Sequence, residues 1–434
     1  MIDKDPSCED PSDPGLLPVD EALHRIQQVL PQTAFKNSEN VSLLEAQNRI
    51  LASDVHSSMD VPPYTNSAMD GFAIHRDDIP SSTTGEKVLD VKGTAWAGRP
   101  LDSIINRGEA ARIMTGAMMP EGTDTVVIQE HVEVLQEGRQ VRIDGEVEAG
   151  RNVRFSGEDV AEGDVVFAAG ENLGPAHIGQ LASLGISRVD VSRRLKVAYF
   201  TTGDELRSLS ENDPADDPAR TQLGPGELYD SNRYTLAAML SSMGVDTIDL
   251  GVVRDNEEAT REAFGKAAEV ADVVITSGGV STGEADYVTK VIHQLGEVAF
   301  WKLAMRPGRP LAFGALGDAM FFGLPGNPVA VMVTFYEFVR PSMLHMMGAR
   351  VKEPQSISAV CQSKLRKSPG RTEYQRGIMS LDSEGRTTVV TTGKQGAGRI
   401  TSMCAANCMI VLPPGSDSVV SGDLVQVQPF YGLI

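Results

Sequence analysis

Positive charge is scarce in this chain. Its 39 Lys and Arg stand against 59 Asp and Glu, a formal net charge of −20. A polyanion-binding surface needs the opposite balance, which argues against nucleic acid and against an anionic membrane surface. An anionic ligand must therefore be held locally, by a few cations that oppose the overall field. Cysteine is sparse too: Cys8, Cys361, Cys404 and Cys408 are scattered over 434 residues. That usage fits a reducing compartment rather than a disulfide framework. No His or Cys cluster accompanies Cys404-x3-Cys408, so these are read as buried reduced thiols rather than metal ligands. No apolar run approaches the ~20 residues of a membrane span. The acidic start MIDKDPSCEDPSDPG lacks the apolar core of a signal peptide. The expected location is the cytoplasm. No nucleophile stands beside a base, and only His75 lies near a small-residue acidic turn, so metal-assisted chemistry is favoured over an acyl-enzyme.

What the chain does have is a set of composition shifts. Residues 1–14, rich in Asp, Pro and Ser, read as a disordered tail. Val19 to Leu30 predicts a helix with Leu23, Ile26 and Leu30 on one face, and Ser42 to Ile50 a second, short one. From Ala52 to about Arg154, Gly, Pro and short alternating runs predict a mainly β region. Strand and then helix character follows over 164–191. From Leu195 to about Met347, strands alternate with helices, which predicts a parallel sheet covered on both faces. Arg207 to Glu227 is an acidic, Pro- and Gly-rich insertion. From Val351 onward, alternation with turns at Pro369-Gly370 and Pro413-Pro414-Gly415 predicts a small C-terminal β domain. No internal repeat is visible.

The most informative segment is Ala271 to Tyr287, ADVVITSGGVSTGEADY. A strand stops at Gly278-Gly279, and a helix begins near Glu284. Glycines admit close backbone approach, and the first N–H groups of a helix are unpartnered, so Ser277, Gly278, Gly279 and Ser281 suit a phosphate. Ser281-x-x-Glu284 fits a capping box. Asp286 beside an anion implies an intervening cation such as Mg²⁺. An ordinary strand-to-helix turn is the alternative. Thr202-Gly203-Asp204-Glu205 and Arg254-Asp255 also fall at carboxyl ends of predicted strands, where ligands of such sheets bind. In FWKLAMRPGRP, Lys302, Arg306 and Arg309 surround a Pro-Gly turn. It reads either as a solvated loop or, given Arg forks, as an oxyanion holder. LPGNP offers Asn327 as a cap and Pro328 as a first helical residue, or else a pocket wall. Asp70, the Glu158-Asp159 pair and Glu205 are further carboxylates in small-residue turns.

Together these segments resemble the molybdopterin molybdenumtransferases, the MoeA/gephyrin E-domain family. The matching stretches run from PYTNSAMDGFAI (63–74) through RIMTGAMMP (112–120), GRNVRFSGEDV (150–160), TTGDEL (201–206), YDSNRY (229–234), TSGGVSTGEADY (276–287), FWKLAMRPGRP (300–310), GLPGNPVA (323–330) and GRTEYQRG (370–377) to TTGKQGAG (391–398). The resemblance implies a multidomain α/β plus β fold. Its parts would be an elongated linker domain (15–51 and 162–192), opening on the N-terminal helical segment, and a mainly β lid domain (52–161). A central three-layer α/β molybdopterin-binding domain (193–348) and a C-terminal β domain (349–434) would follow. It also implies an elongated homodimer whose partner subunit helps close the cleft. The implied reaction hydrolyses adenylylated molybdopterin with Mg²⁺ and inserts molybdenum from molybdate, giving molybdenum cofactor and AMP.

By position, Ser277 to Gly279, Ser281 and Asp286 would hold the pterin phosphate end and the metal, with Asp255 and Glu205 in the same cleft. Lys302 belongs to the same basic loop as Arg306 and Arg309; those two and Arg376 would hold molybdate. Asp70, Thr115 and Asp159 would come from the lid, and Pro325 and Pro328 would shape the pocket. Many relatives carry Lys at 306 and 309 and Ser at Ala397. The physical expectation is one small positive nest of backbone amides, guanidinium groups and a divalent ion. Alternatives are a peptide-binding scaffold dimer, tungstate preference, or nucleotide pyrophosphate hydrolysis on the shared α/β domain. An upstream adenylyltransferase and apo-molybdoenzymes are the expected protein contacts.

Overall fold

The computed structural model describes residues 15–30, 37–80, 85–145, 147–209, 222–280, 287–351 and 354–430. The 1–14 tail, Cys8, Ser281, Glu284, Asp286 and positions 210–221 of the insertion lie outside the described residues. The chain divides into two compact units. One holds the described parts of Met1–Asn40, Asn48–Ala52 and Asp190–Ile434, and the other holds Val41–Gln47 and Ser53–Val189.

The first unit is built on a six-stranded sheet in the order Asp246–Val253, Lys196–Thr202, Val273–Ser277, Ala319–Leu324, Pro310–Leu316, Glu297–Lys302. Alternation along its strands fills both faces. Val197 and Tyr199 enter a cluster with Leu236, Leu240 and Phe322, while Ala198 and Phe200 enter another with Phe264, Ile292 and Phe321. Each such large apolar side chain contributes roughly 1.5–3 kcal/mol by leaving water. Helices Ser231–Ser242 and Glu257–Val270 begin at caps that accept backbone N–H groups: Asp230 from Arg233 at 3.1 Å and Asn256 from Ala259 at 2.9 Å. The expectation of an all-parallel sheet is corrected. The first four strands are parallel, but 310–316 runs antiparallel to both 319–324 and 297–302. The hairpin turns at Gly317, with φ of +61°. Its strands are apolar on both faces, so no period-2 signal separated them.

After LPGNP the chain runs through helix Pro328–Thr334, a π-helical turn Phe335–Val339 and helix Arg340–Met346. Pro341 has no N–H for the Glu337 carbonyl four residues back, which accounts for the widened turn. A second six-stranded sheet follows in the order Met305–Arg306, Thr372–Leu381, Thr387–Thr391, Ile357–Cys361, Leu424–Pro429, Cys408–Leu412. The last strand pairs back onto 372–381. The purely β reading of this region missed one helix, Ile400–Ala405. Cys361 and Cys408 are buried free thiols, whereas Cys404, expected to be buried, is exposed on that helix.

The helix expected over 42–50 does not form. The Glu45 carboxylate accepts from both the N–H and the hydroxyl of Ser42, at 3.1 and 2.6 Å, and Asn48 sits at φ +61°. The Glu45 contact is that of a helix's first turn, but the left-handed Asn48 stops a helix from continuing. Instead Leu51 bridges Val191, with Ala52 N–H donating to the Asp190 carbonyl at 2.9 Å.

The second unit carries a six-stranded sheet in the order Thr125–Ile128, Gly71–Ile74, Glu109–Ile113, Glu86–Ala95, Gln140–Asp144, Val132–Leu135. At Gly71 a side chain would lie 2.1 Å from the Val127 carbonyl oxygen, so the strand pair requires glycine there. No described helix is long and apolar enough to cross a membrane.

Candidate active site: strand ends and a basic cavity

The parallel strands place their carboxyl ends together. Thr202 registers with Val253, Thr201 with Ser277, and Ser277 with Leu324. Gly278 and Gly279 have φ of +95° and +65°. A side chain at Gly278 would lie 2.7 Å from the Thr202 carbonyl oxygen, and one at Gly279 2.4 Å from Val288. The sequence needs both glycines to turn here. Ser277 is buried. Its hydroxyl accepts from Asn232 Nδ2 at 2.9 Å and donates to the Pro325 carbonyl at 3.1 Å, while Asn232 also donates to the Gly326 carbonyl at 2.7 Å. Asn232 thus ties the 277–279 turn to LPGNP. Sequence reasoning used YDSNRY as a family motif but selected no residue from it. Asn232 is the second residue of its helix, and once it is buried its amide needs carbonyl or hydroxyl partners. Pro328 is the first residue of its helix, as expected, but Asn327 makes no side-chain cap. The Val329 N–H is instead taken by the Ala397 carbonyl at 3.0 Å.

Carboxylates gather at the neighbouring strand ends. The Asp255 N–H donates to Asp204 Oδ1 at 3.2 Å. Burial raises the Asp255 pKa, and the charges of Asp204 and Glu205 push it further up. Among the described residues, no three His, Cys, Asp or Glu converge as a metal-holding group.

The basic loop leaves the α/β sheet at Lys302 and enters the second sheet, where Met305 and Arg306 pair with Thr372 and Glu373. The Leu303 N–H closes the loop on the Arg309 carbonyl at 2.7 Å. Arg306 is exposed, and Lys302 and Arg309 are half-buried. Arg376 is 1% exposed. Its guanidinium donates to Ser402 Oγ at 3.0 Å and the Gly396 carbonyl at 3.2 Å, and no carboxylate among the described residues pairs with it. Burial, then the charge of Arg306, lowers its pKa to about 10. A buried guanidinium without a counter-ion is costly, and an entering anion offsets that cost. Arg306 and Arg376 line one cavity of about 1120 Å³, together with Lys364, Arg366, Lys367, Lys394, Gln395 and a single carboxylate, Glu373. None of the three basic residues at 364–367 was singled out from the sequence.

The candidates therefore fall into groups. Arg306 and Arg376 share the cavity, whose lining includes neither Lys302, Arg309 nor the 278–279 turn. Ser277, Gly278, Gly279, Pro325 and Pro328 meet at the strand ends, with Glu205 and Asp255 in the turns beyond the neighbouring strands 196–202 and 246–253. The expected single nest is thus two adjoining regions among the described residues, joined through the 326–329 turn and the 396–398 loop. In the second unit, Asp70 Oδ1 accepts from the Thr115 N–H at 2.7 Å and hydroxyl at 2.8 Å, which lowers the Asp70 pKa. Asp159 stands exposed at another turn, its N–H bonded to the Val61 carbonyl at 3.0 Å.

The fold and these sites define a multidomain α/β plus β protein with a cavity lined by basic side chains. Residues 17–185 match the MoeA N-terminal region (domains I and II), 198–345 the probable molybdopterin-binding domain, and 358–430 the MoeA C-terminal region (domain IV). The chain belongs to the MoeA family of molybdopterin molybdenumtransferases. It is 40% identical over 420 residues to the molybdopterin molybdenumtransferase of Haemophilus influenzae, covering 96% of this chain and 100% of that one. The same enzyme of a Nostoc species is 37% identical, with 90% and 88% covered. The crystal structure of the molybdopterin biosynthesis moeA protein of Pyrococcus horikoshii superposes with a TM-score of 0.81 at 27% identity, covering 95% of this chain and all of that one.

Proposed function

We propose that this chain inserts molybdenum into molybdopterin, using the adenylylated form of the pterin and molybdate and releasing AMP. The observation that carries the reading is the cavity at Arg306 and Arg376: cations concentrated at one place in a chain of net charge −20. Arg306 and Arg376 bind molybdate, a tetrahedral dianion that guanidinium forks match; Lys302 and Arg309, on the same loop, support the field. Ser277, Gly278 and Gly279, with Ser281, receive the phosphate end of the pterin through backbone amides. Pro325 and Pro328 stiffen the turn beside them.

Mg²⁺ is the proposed cofactor. Asp255 and Glu205, with Asp286 beyond the described residues, would hold it. The donor set fits, because Mg²⁺ takes one or two carboxylates plus substrate phosphate oxygens. The mutual repulsion of Asp204, Glu205 and Asp255 is what a cation relieves. Bound there, it supplies Lewis-acid polarisation of the phosphoanhydride. Asp70, kept ionised by Thr115, and Asp159 are proposed to serve the same reaction. The functional division into 15–51 with 162–192, 52–161, 193–348 and 349–434, and a homodimeric assembly, belong to this reading.

The test mixes the purified protein with adenylylated molybdopterin, Mg²⁺ and molybdate and follows AMP release and metal incorporation. Asp286→Ala should abolish insertion while sedimentation still reports a dimer. Arg306→Ala should raise the molybdate concentration needed, by roughly ten- to a hundredfold for one charged hydrogen-bond donor, with adenylate binding little changed. Full insertion by Asp286→Ala, or equal losses for both ligands in Arg306→Ala, refutes the assignment.

A further inference from the structure

The same cavity holds a second cationic locus that the transferase reading does not use. Along strand 372–381, side chains alternate. Tyr374 and Arg376 point to one face, bonded to Glu337 and Ser402. Glu373 and Gln375 point to the other, where Gln375 Nε2 donates to Glu373 Oε2 at 3.0 Å and to the Arg366 carbonyl at 3.0 Å. The 364–368 segment therefore runs along the face opposite the Arg376 guanidinium. It is firmly held: Leu365 bridges Val419 in both directions, and the Lys367 N–H donates to Ser418 Oγ at 3.2 Å.

Lys367 is only 7% exposed, yet it lines the cavity. Its ammonium donates to the Ser368 carbonyl at 2.7 Å and forms no ion pair among the described residues. Glu373 and Asp417 act on it only from a distance, and Arg371 opposes them. Lys364 and Arg366, both exposed, add charge to the same wall. A buried ammonium with spare donors, no contacting carboxylate and an open cavity before it is arranged for an incoming anion. A volume of about 1120 Å³ leaves room for one here besides an oxyanion at Arg306 and Arg376.

We propose that Lys367, flanked by Lys364 and Arg366, forms a second subsite for a tetrahedral oxyanion, separate from the one at Arg376. The oxyanion is either the phosphate of an organic monoester or a free inorganic ion. The experiment is calorimetric titration of the full chain, wild type, Lys367→Met and Arg376→Met, with inorganic phosphate and with AMP. Wild type should show a Lys367 class of site besides those proposed at Arg376 and at the 277–279 amides. Lys367→Met should weaken that class alone by roughly ten- to a hundredfold, whereas Arg376→Met should remove a different one and leave it. Tighter binding of AMP than of phosphate at the Lys367 class identifies a monoester, and equal binding identifies a free oxyanion. In phosphate-free buffer Lys367→Met should melt no lower than wild type, since an uncompensated buried charge is gone. If Lys367→Met does not fold, the exposed pair Lys364→Gln/Arg366→Gln should weaken the same class several-fold. Wild-type binding of both ligands by these variants, or a lowered melting point without loss of binding, overturns the subsite. Binding is read without turnover, so that failure leaves the transferase reading standing.

Discussion

Glu337 shows how one side chain couples packing to pH. It lies on the π-helical turn, receives the Tyr374 hydroxyl at 3.1 Å, and otherwise stands beside Val333, Tyr336, Met409, Gln428 and Phe430. Burial first, and the charge of Asp20 on the N-terminal helix second, push its pKa up to about 7 despite that hydrogen bond. An acid whose folded pKa exceeds its unfolded value favours folding in its neutral form. Its contribution is complete below pH ~4.5 and lost as pH rises through about 7. Glu337→Gln should flatten the melting-temperature slope between those values and stabilise the protein at pH 8 by on the order of 2 kcal/mol. An unchanged slope in differential scanning calorimetry would show that the carboxyl is already ionised in the fold.

Among the elements, turns read more clearly from the sequence than strand partners did. Gly278-Gly279 and Pro328 were legible because each has a local cause: a backbone turn that needs glycine, and a fixed ring. Their convergence at strand ends followed from βα alternation. The 310–324 hairpin, the 400–405 helix and the false helix at 42–50 were not, because continuous apolar runs and one-turn patterns do not identify their partners. In the cavity, Arg306 was read from its own Pro-Gly loop and Arg376 through motif likeness, whereas Lys367 was invisible: a lysine beside Arg366 reads as a solvated pair until the strand beside it is known. Gly278→Ala tests the turn. Its φ of +95° and the 2.7 Å approach to Thr202 leave no room for a methyl group. The variant should lose several kcal/mol of stability, roughly 1–3 from strain with the clash added, and insertion activity with it. Wild-type melting would mean that the loop rearranges freely.

At the scale of the molecule, net charge sets how anions arrive. A net charge of −20 repels molybdate at long range, while the contacts proposed at Arg306 and Arg376 would attract it at short range. The Debye length shrinks from ~30 Å at 0.01 M to ~8 Å at 0.15 M, so added salt screens the repulsion before it screens the contacts. Molybdate affinity, titrated in a weakly competing salt, should stay level or rise over that range. A tenfold fall would assign the affinity to long-range attraction. The same unit contains one further commitment. Between 297 and 306 a single short length of chain leaves one sheet and becomes an edge of another, delivering Arg306 as it crosses. Anyone excising the central module for transplantation must cut through that crossing and forfeit the guanidinium, or carry the neighbouring barrel along. Arg306 therefore belongs to the junction of the two sheets and to neither alone.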